Sequence, residues 1–314
     1  MKILDHSSNL KALGITCSIA MGMFDGVHLG HKNVIKAAVD HAYSHKQKSA
    51  IITLASHPRE LTQGKSPELI TNLSARLNLF ERLGVDFVLV LDFNKQLQET
   101  SARDFFEKYL LNFLNTNFIS IGYDHHFGKN RSGNPEILKK WCQEFNVQCH
   151  IEPALTFQGE NISSSRIRNL IKNGNLDLSN KLLGHDYLIC SEVIQGEGLG
   201  RELGYPTANL AVDENLVCPA HGVYYGHCQI GNNVQNYKCV VNIGVRPTVS
   251  TLQKTNIEVH ILEFNNLSQD KKNIYGQGIQ LSLSTRIRNE IKFNSVSELQ
   301  TQIARDIEFA LTQP

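Results

Sequence analysis

Through the first half of the chain, short apolar runs alternate with segments in which apolar residues recur every three or four positions. Ser18–Met21, Ala50–Leu54, Asp86–Leu91, Phe118–Ile121 and Val147–Ile151 have the length and apolarity of buried strands. Between two of them, Leu73, Leu77, Phe80 and Leu83 line one face of a helix that Asn72 or Ser74 can cap and Gly84 can end. Repeated β-α units bury both faces of a parallel sheet and need right-handed crossovers. The pattern therefore predicts a doubly wound α/β domain with ligands at the carboxyl ends of its strands.

After Leu183-Gly184 the pattern changes. From Tyr187 onward, short strands and tight turns dominate, and Gly231-Asn232-Asn233 reads as a hairpin turn between apolar runs. From Ile279, apolar residues and Thr alternate with Gln, Ser and Arg, as in a half-buried antiparallel strand. Ser295 and Glu298 form a capping box for a last helix, with Val296, Leu299, Ile303, Ile307 and Ala310 as its apolar stripe. The expectation is a small antiparallel β-barrel packed by a C-terminal helix, with domains at 1–184 and 185–314 and no long linker. Internal repeats and low-complexity stretches are absent from the sequence.

Composition changes this picture little. The 314 residues fit two domains, and 41% hydrophobic with 19% charged residues is an ordinary globular balance. Lys and Arg number 31 against 30 Asp and Glu, so the net charge of +1 argues against nonspecific binding to nucleic acid or a membrane surface. Local basic pockets for phosphate remain open. The amino terminus has no continuous apolar core for a secretory signal or membrane span. Cysteines at 17, 142, 149, 190, 218, 228 and 239 are an odd, scattered set, which points to reduced thiols and a cytoplasmic protein.

The strongest local signal is Gly22-Met23-Phe24-Asp25-Gly26-Val27-His28-Leu29-Gly30-His31, between the first strand and the first helix. Its glycines let backbone approach a ligand closely, and free amides at a helix start favour an anion. His28 and His31 are three apart and can serve one site, where they would stabilise charge growing on a phosphate. A lone histidine there would more often be a cap or core residue; two histidines, two flanking glycines and an aspartate shift the balance. A metal site of His28, His31 and His57 is a weaker reading, because no His-Glu-x-x-His pattern accompanies it. Ile162-Ser163-Ser164-Ser165-Arg166-Ile167-Arg168 places hydroxyls and then cations at another helix start, fitting either phosphate oxygens or an ordinary serine cap. Thr53 to Glu60 follows the second strand, where a ligand loop belongs. Neither a Walker loop nor a Gly-x-Gly-x-x-Gly turn is present.

In the second half, Gly196, Gly198, Gly200, Arg201 and Gly204 belong to a glycine-rich flap whose backbone amides could face nucleotide phosphates. It runs into Thr207 and Asn209, two apart and so on one face of a strand. Their neutral oxygens suit Mg²⁺ that takes anionic ligands from ATP. Glu258, flanked by apolar residues, is either the partner of a buried cation or a general base.

Gly22–His31 with Ile162–Arg168 resembles the HxGH nucleotidyltransferases. Within that superfamily, the wording of both motifs resembles the bacterial bifunctional riboflavin kinase/FAD synthetase family. Gly-Arg-x-Leu-Gly-Tyr-Pro-Thr-Ala-Asn at 200–209, Asn242–Thr248 and Glu258-Val259-His260 resemble its kinase module, and Arg288, Glu290 and Phe293 continue the match. The resemblance spans nearly the whole chain. It implies phosphorylation of riboflavin by ATP to FMN, then adenylylation of FMN by a second ATP to FAD and pyrophosphate, with magnesium at both steps. It implies Glu258 as the kinase base, Thr207 and Asn209 at the metal, and His28 and His31 as the adenylylation pair. Phosphates would meet Gly22, Phe24, Asp25, Gly26, Gly30, Ser163, Ser164, Arg166 and the flap, and flavin would meet His57, Asp124, Arg288 and Glu290. The chain departs from the family wording at Leu54 and Ser56, at His125 and His126, and at Met23. Two other readings are a nucleotidyltransferase with a different phosphorylated acceptor, which leaves the barrel unexplained, and a noncatalytic flavin or nucleotide carrier, against which the intact His pair, Glu258, Thr207 and Asn209 argue.

Overall fold

The computed structural model describes residues 1–5, 8–64, 66–196, 198–231, 235–246, 254–262 and 274–314. Contacts divide the chain into two compact units, Met1–Leu69 with Arg76–Ser164 and Ile70–Ala75 with Ser165–Pro314.

In the first unit, β1 (Lys2–Leu4), β2 (Cys17–Met21), β3 (Lys48–Leu54), β4 (Phe87–Leu91), β5 (Thr116–Gly122) and β6 (Gln148–Glu152) form one sheet in the order β1-β4-β3-β2-β5-β6. Every pairing is parallel. Because both faces are covered, β2 reads as five buried residues without alternation. The order runs outward from β2 to β3 on one side and from β5 to β6 on the other, so the topological switch point lies between β2 and β5. A ligand crevice belongs at their carboxyl ends. The helix Leu29–Ser44 follows β2 and buries Val34, Ile35, Ala38 and Ala42. A larger core joins Ile19, Met21, Ile52, Leu89, Ile119 and Ile121 to Phe105, Phe106, Leu110 and Leu138. A two-stranded hairpin, β7 (Thr156–Phe157) and β8 (Glu160–Asn161), precedes the helix Ser164–Lys172.

All five expected strands form. The three-residue edge strand β1 and the π-helical turn Phe106–Phe113 were not legible, since neither leaves a periodic signature of useful length. The helix Leu73–Arg82 forms with Asn72 as its cap, the side-chain oxygen accepting from Ala75 N–H at 3.0 Å, and Gly84 beyond its end at φ 79°. Its buried face needs correcting. Ala75, Arg76, Leu79 and Phe80 are buried, whereas Leu73, Leu77 and Leu83 are half-buried. The face turns toward Arg76 because that guanidinium finds oxygen acceptors, described below.

In the second unit the helix Leu176–Leu183 ends at Gly184 in the left-handed region (φ 68°). Six strands follow: β9 (Tyr187–Ile194), β10 (Ala208–Leu210), β11 (Gly222–Ile230), β12 (Tyr237–Arg246), β13 (Lys254–Ile261) and β14 (Gly278–Asn289). They close into an antiparallel barrel in the order β10-β13-β12-β11-β14-β9. Ile279, Leu281 and Leu283 are buried at alternate positions of β14, as the sequence predicts. β11 and β12 pair as a hairpin, while Asn232 and Asn233 of its expected turn lie outside the described residues.

The last helix spans Val296–Thr312, with Ser295 Oγ accepting from Glu298 N–H at 3.2 Å and Glu298 Oε2 accepting from Asn294 N–H at 2.9 Å. Its apolar stripe is narrower than expected, since Val296 is 60% exposed while Ala310 and Ile307 pack on Val223, Tyr225 and Val240. Asp306 is buried on this helix because Arg288 of β14 grips both its oxygens at 2.8–3.0 Å. Removing one member of a buried pair strands the other charge. Arg288→Met is expected to cost about 3–5 kcal/mol of stability, measured by denaturant unfolding. A loss under about 1 kcal/mol would place the pair with weak surface ion pairs.

Candidate active sites

The first site grows from the end of β2. The chain turns through Gly22–Val27 before the helix at Leu29, and the turn holds Phe24 and Val27 at positive φ (53° and 41°). A bulky and a β-branched residue in that region are strained, and such strain persists only where surrounding bonds over-determine it. Here those bonds are plain. Gly22 N–H donates to Ile52 carbonyl at 3.1 Å and Val27 N–H to Phe24 carbonyl at 3.0 Å. The Met23 carbonyl accepts from Thr53 Oγ1 at 3.1 Å and Arg76 Nη1 at 2.8 Å. Ser164 Oγ donates to the Asp25 carbonyl at 3.0 Å, tying the start of its helix to the turn. Gly22 packs tightly on the turn, since a Cβ there would lie 3.0 Å from the Phe24 ring.

His28 caps the following helix, its Nδ1 accepting from His31 N–H at 3.3 Å. This bond puts the proton of a neutral ring on Nε2, leaving Nε2–H as the donor. The His28 and His31 rings stack at 3.5 Å, and Phe24 stands edge-on to His31 at 5.4 Å. The amides of Leu29 and Gly30, first in the helix, have no acceptor within it. His31 Nδ1 is buried without a hydrogen-bond partner among the described residues. Two ring edges and two amides at a helix start make an anion cradle.

Burial pulls the His28 pKa down to about 4, and burial with repulsion from His28 pulls His31 well below its ordinary value. Near neutral pH the pair is therefore uncharged and acts as N–H donors. The folded pKa of His28 is depressed, so its contribution is present above 6.5 and is lost as pH falls toward 4, where the unfolded chain takes the proton first. The loss is at most about 3 kcal/mol. The expected result is an acid limb in denaturant stability over that interval that is shallower in His28→Gln; an unchanged limb would assign the sensitivity elsewhere.

Other sequence-predicted residues occupy the same end of the sheet. His57 follows β3 and caps the short helix Pro58–Gln63, accepting from Arg59 N–H at 3.1 Å. Asp124 follows β5 and is exposed, with Oδ1 close to where a Cβ on Gly122 would sit. Burial, with the nearby His126 and Arg131 charges, pulls His125 down to about 4. Among the described residues no three His, Cys, Asp or Glu side chains gather to hold a metal, so the His28–His31–His57 metal reading finds no support. Ser163 and Ser164 end the first unit, while Arg166 and Arg168 belong to the second.

The second site lies on the barrel. Asn209 of β10 pairs in register with Glu258 of β13, and Glu258 with Asn242 of β12. Residues directly opposite share a sheet face, and Thr207 and Asn256, two residues from Asn209 and Glu258, join it. Asn256 Nδ2 donates to Glu258 Oε1 at 2.7 Å. Asn209 is buried, and the flap covers it so closely that a Cβ on Gly196 would lie 2.1 Å from its amide nitrogen. A Cβ on Gly200 would likewise lie 3.0 Å from Thr207 Oγ1. His260 Nδ1 bonds the Pro206 carbonyl at 2.8 Å and stands edge-on to Tyr205, fixing the approach to Thr207. Arg201 and Thr207 line a cavity of about 80 Å³ with Val193, Val259 and Tyr275.

One expectation for the flap changes. The amides of Arg201 and Glu202 bond the Gly198 carbonyl, and those of Leu203, Gly204 and Tyr205 bond the carbonyls of Leu199, Arg201 and Gly200, so these five are not a row open to phosphate. Glu197 lies outside the described residues, as do Pro247 and Thr248 of the other kinase-like motif.

The FAD synthetase family model matches residues 11–166, and the riboflavin kinase family model matches 183–313. A bifunctional riboflavin kinase/FMN adenylyltransferase of Haemophilus influenzae is 35% identical over 306 residues, covering 97% of this chain and 96% of the relative. The chain belongs to the bifunctional riboflavin kinase/FMN adenylyltransferase family. A relative of the same description from Bacillus subtilis is 35% identical over 297 residues, covering 93% of this chain and 91% of its own. A crystal structure described as a macrolide-efflux protein from Streptococcus pneumoniae superposes with a TM-score of 0.81 at 29% identity, covering 100% of this chain and 99% of that one. Among the described residues of this family member, no helix is long and apolar enough to cross a membrane.

The two constellations lie within the spans of the two family models. In this chain Arg288 Nε and Nη2 donate to Asp306, and Nη1 donates to the Asn289 carbonyl. Glu290 presses on Gly244, where a Cβ would lie 2.3 Å from its Oε1. Arg76 escaped the sequence reading altogether. Its signal was available, a cation inside an apolar stripe one helical turn before Phe80.

Proposed function

We propose that this chain phosphorylates riboflavin with ATP to give FMN, then adenylylates FMN with a second ATP to give FAD and pyrophosphate. What carries the reading is one chain holding two unlike phosphate-directed constellations, each within the span of its own family model. Residues 1–184 would carry adenylyl transfer and 185–314 phosphoryl transfer.

In the kinase step the riboflavin 5′-hydroxyl oxygen attacks the γ-phosphorus of ATP, the bond to ADP breaks, and the hydroxyl proton must leave. An alcohol is a weak nucleophile, so a nearby carboxylate helps, and Glu258 is the group in register with Asn209. Its bond from Asn256 holds the carboxylate in place. Thr207 and Asn209 offer hard, neutral oxygens on one face, a donor set that fits Mg²⁺ arriving with anionic phosphate ligands. Magnesium bound there would offset charge on the transferring phosphoryl. Arg201, on the cavity that Thr207 lines, would orient the phosphates.

In the adenylyl step an FMN phosphate oxygen attacks the α-phosphorus of ATP and pyrophosphate leaves. The nucleophile is already an anion, so no general base is needed. Orientation and donors aimed at the growing charge are needed instead. His28 Nε2–H, His31 and the Leu29 and Gly30 amides supply the donors, and Ser163 and Ser164 extend the phosphate-binding set. Flavin would be held at this end of the sheet by His57 and Asp124, and in the kinase unit by Glu290 and Arg288. Seven cysteines, none in a disulfide, fit a cytoplasmic setting.

The test is incubation with riboflavin, ATP and Mg²⁺, with flavins resolved by chromatography. FMN followed by FAD is expected. Pyrophosphate release without FAD would redirect the first site to another phosphorylated acceptor, and tight flavin binding without turnover would make the protein a carrier.

A further inference from the structure

Arg76 is fully buried in the α/β unit, and oxygen atoms of three residues surround its guanidinium. Nη1 donates to the Met23 carbonyl at 2.8 Å and to Thr53 Oγ1 at 3.2 Å, and Nη2 donates to the Ala55 carbonyl at 3.1 Å. Met23 belongs to the strained turn after β2, Thr53 to β3, and Ala55 to the loop after β3. One planar fork thus joins the carboxyl ends of two adjacent strands. Met23 directly precedes Phe24, whose positive φ has to be enforced from outside. Thr53 Oγ1 donates to the same Met23 carbonyl, but a single rotatable hydroxyl fixes distance without direction. The guanidinium fixes both, since its donors are coplanar and rigid.

Burying a guanidinium among neutral oxygens is costly, and a leucine in the apolar stripe would pack there without that cost. The stabilising return lies in its charge and its shape. The Asp25 carboxylate, also buried in the turn, feels that charge. With the two histidines uncharged, a permanent cation under the turn also supplies positive potential where the triphosphate would lie.

We propose that Arg76 is a positioning residue of the adenylyl-transfer site, clamping Met23 so that the strained turn presents His28 and the helix amides in their working geometry. This deepens the adenylyl-transfer reading above and rests on it. Lysine keeps the charge but loses the fork, and methionine loses both.

The test compares Arg76→Lys and Arg76→Met with wild type in the full chain. It measures kcat and KM for FAD formation from FMN and ATP, FMN formation from riboflavin, and Tm. For Arg76→Met, kcat of FAD formation is expected to fall at least 100-fold with KM for FMN within threefold. For Arg76→Lys, a fall of about tenfold is expected, and FMN formation in both should stay within twofold of wild type. A merely structural role would lower Tm and the folded fraction, scaling both activities together without separating kcat from KM. Should Arg76→Met fail to fold, Arg76→Lys decides, and a kcat within threefold of wild type with Tm unchanged would overturn the proposal. Wild-type protein that forms no FAD refutes FMN as the acceptor, and the same kcat comparison is then read by pyrophosphate release with the acceptor that it does use.

Discussion

His28→Ala is expected to lower the rate of FAD formation from FMN about 100- to 1,000-fold, the usual effect of deleting one preorganised donor from a site of growing negative charge. The substitution removes the Nε2–H donor and the cap on His31 N–H together. It also removes the stacking partner of the His31 ring, so the second imidazole loses its support as well. Conversion of riboflavin to FMN should be unchanged, because no residue of the kinase constellation belongs to this turn. Chromatography of the flavins after each substrate is supplied separately reads both outcomes. Wild-type FAD formation in a folded His28→Ala protein would remove this histidine from the phosphate site.

Glu258→Gln should show the opposite split, with FMN formation reduced about 100- to 10,000-fold and adenylylation of supplied FMN near normal. Glutamine keeps the volume and can still accept from Asn256, so the change isolates the loss of a proton acceptor. The pairing of β10 with β13 does not depend on this side chain, and little change in Tm is expected. Equal loss of both activities in folded protein would break the assignment of one activity to each constellation. A kinase activity retained within tenfold would move the base to another group.

How much of this the sequence makes legible depends on what each feature leaves in it. Buried strands such as Ala50–Leu54 are apolar throughout, and the alternation from Ile279 marks one inward face, so sheet and barrel were both legible. The His28–His31 contact was legible because a three-residue spacing at a helix start admits few other arrangements. The register of Asn209 with Glu258 was not, because pairing across 48 intervening positions depends on barrel closure rather than on local pattern. Arg76 and Asp306 were missed for one reason. Each is a charge on a buried helix face, and an apolar-stripe reading assigns such residues to solvent. Both are stabilised by partners remote in the chain, Met23 and Thr53 for one and Arg288 for the other.

The three residues of β10 carry a consequence beyond their length. This strand is the seam of the cylinder, hydrogen-bonded to β9 on one flank and β13 on the other, with only two paired positions along each. No other ladder in the barrel has so few paired positions. Asn209 sits in the middle of it and appears in both pairings. Parting of the seam would take Asn209 away from Glu258, so the shortest pairings in the wall are also the ones that hold the proposed kinase pair in register.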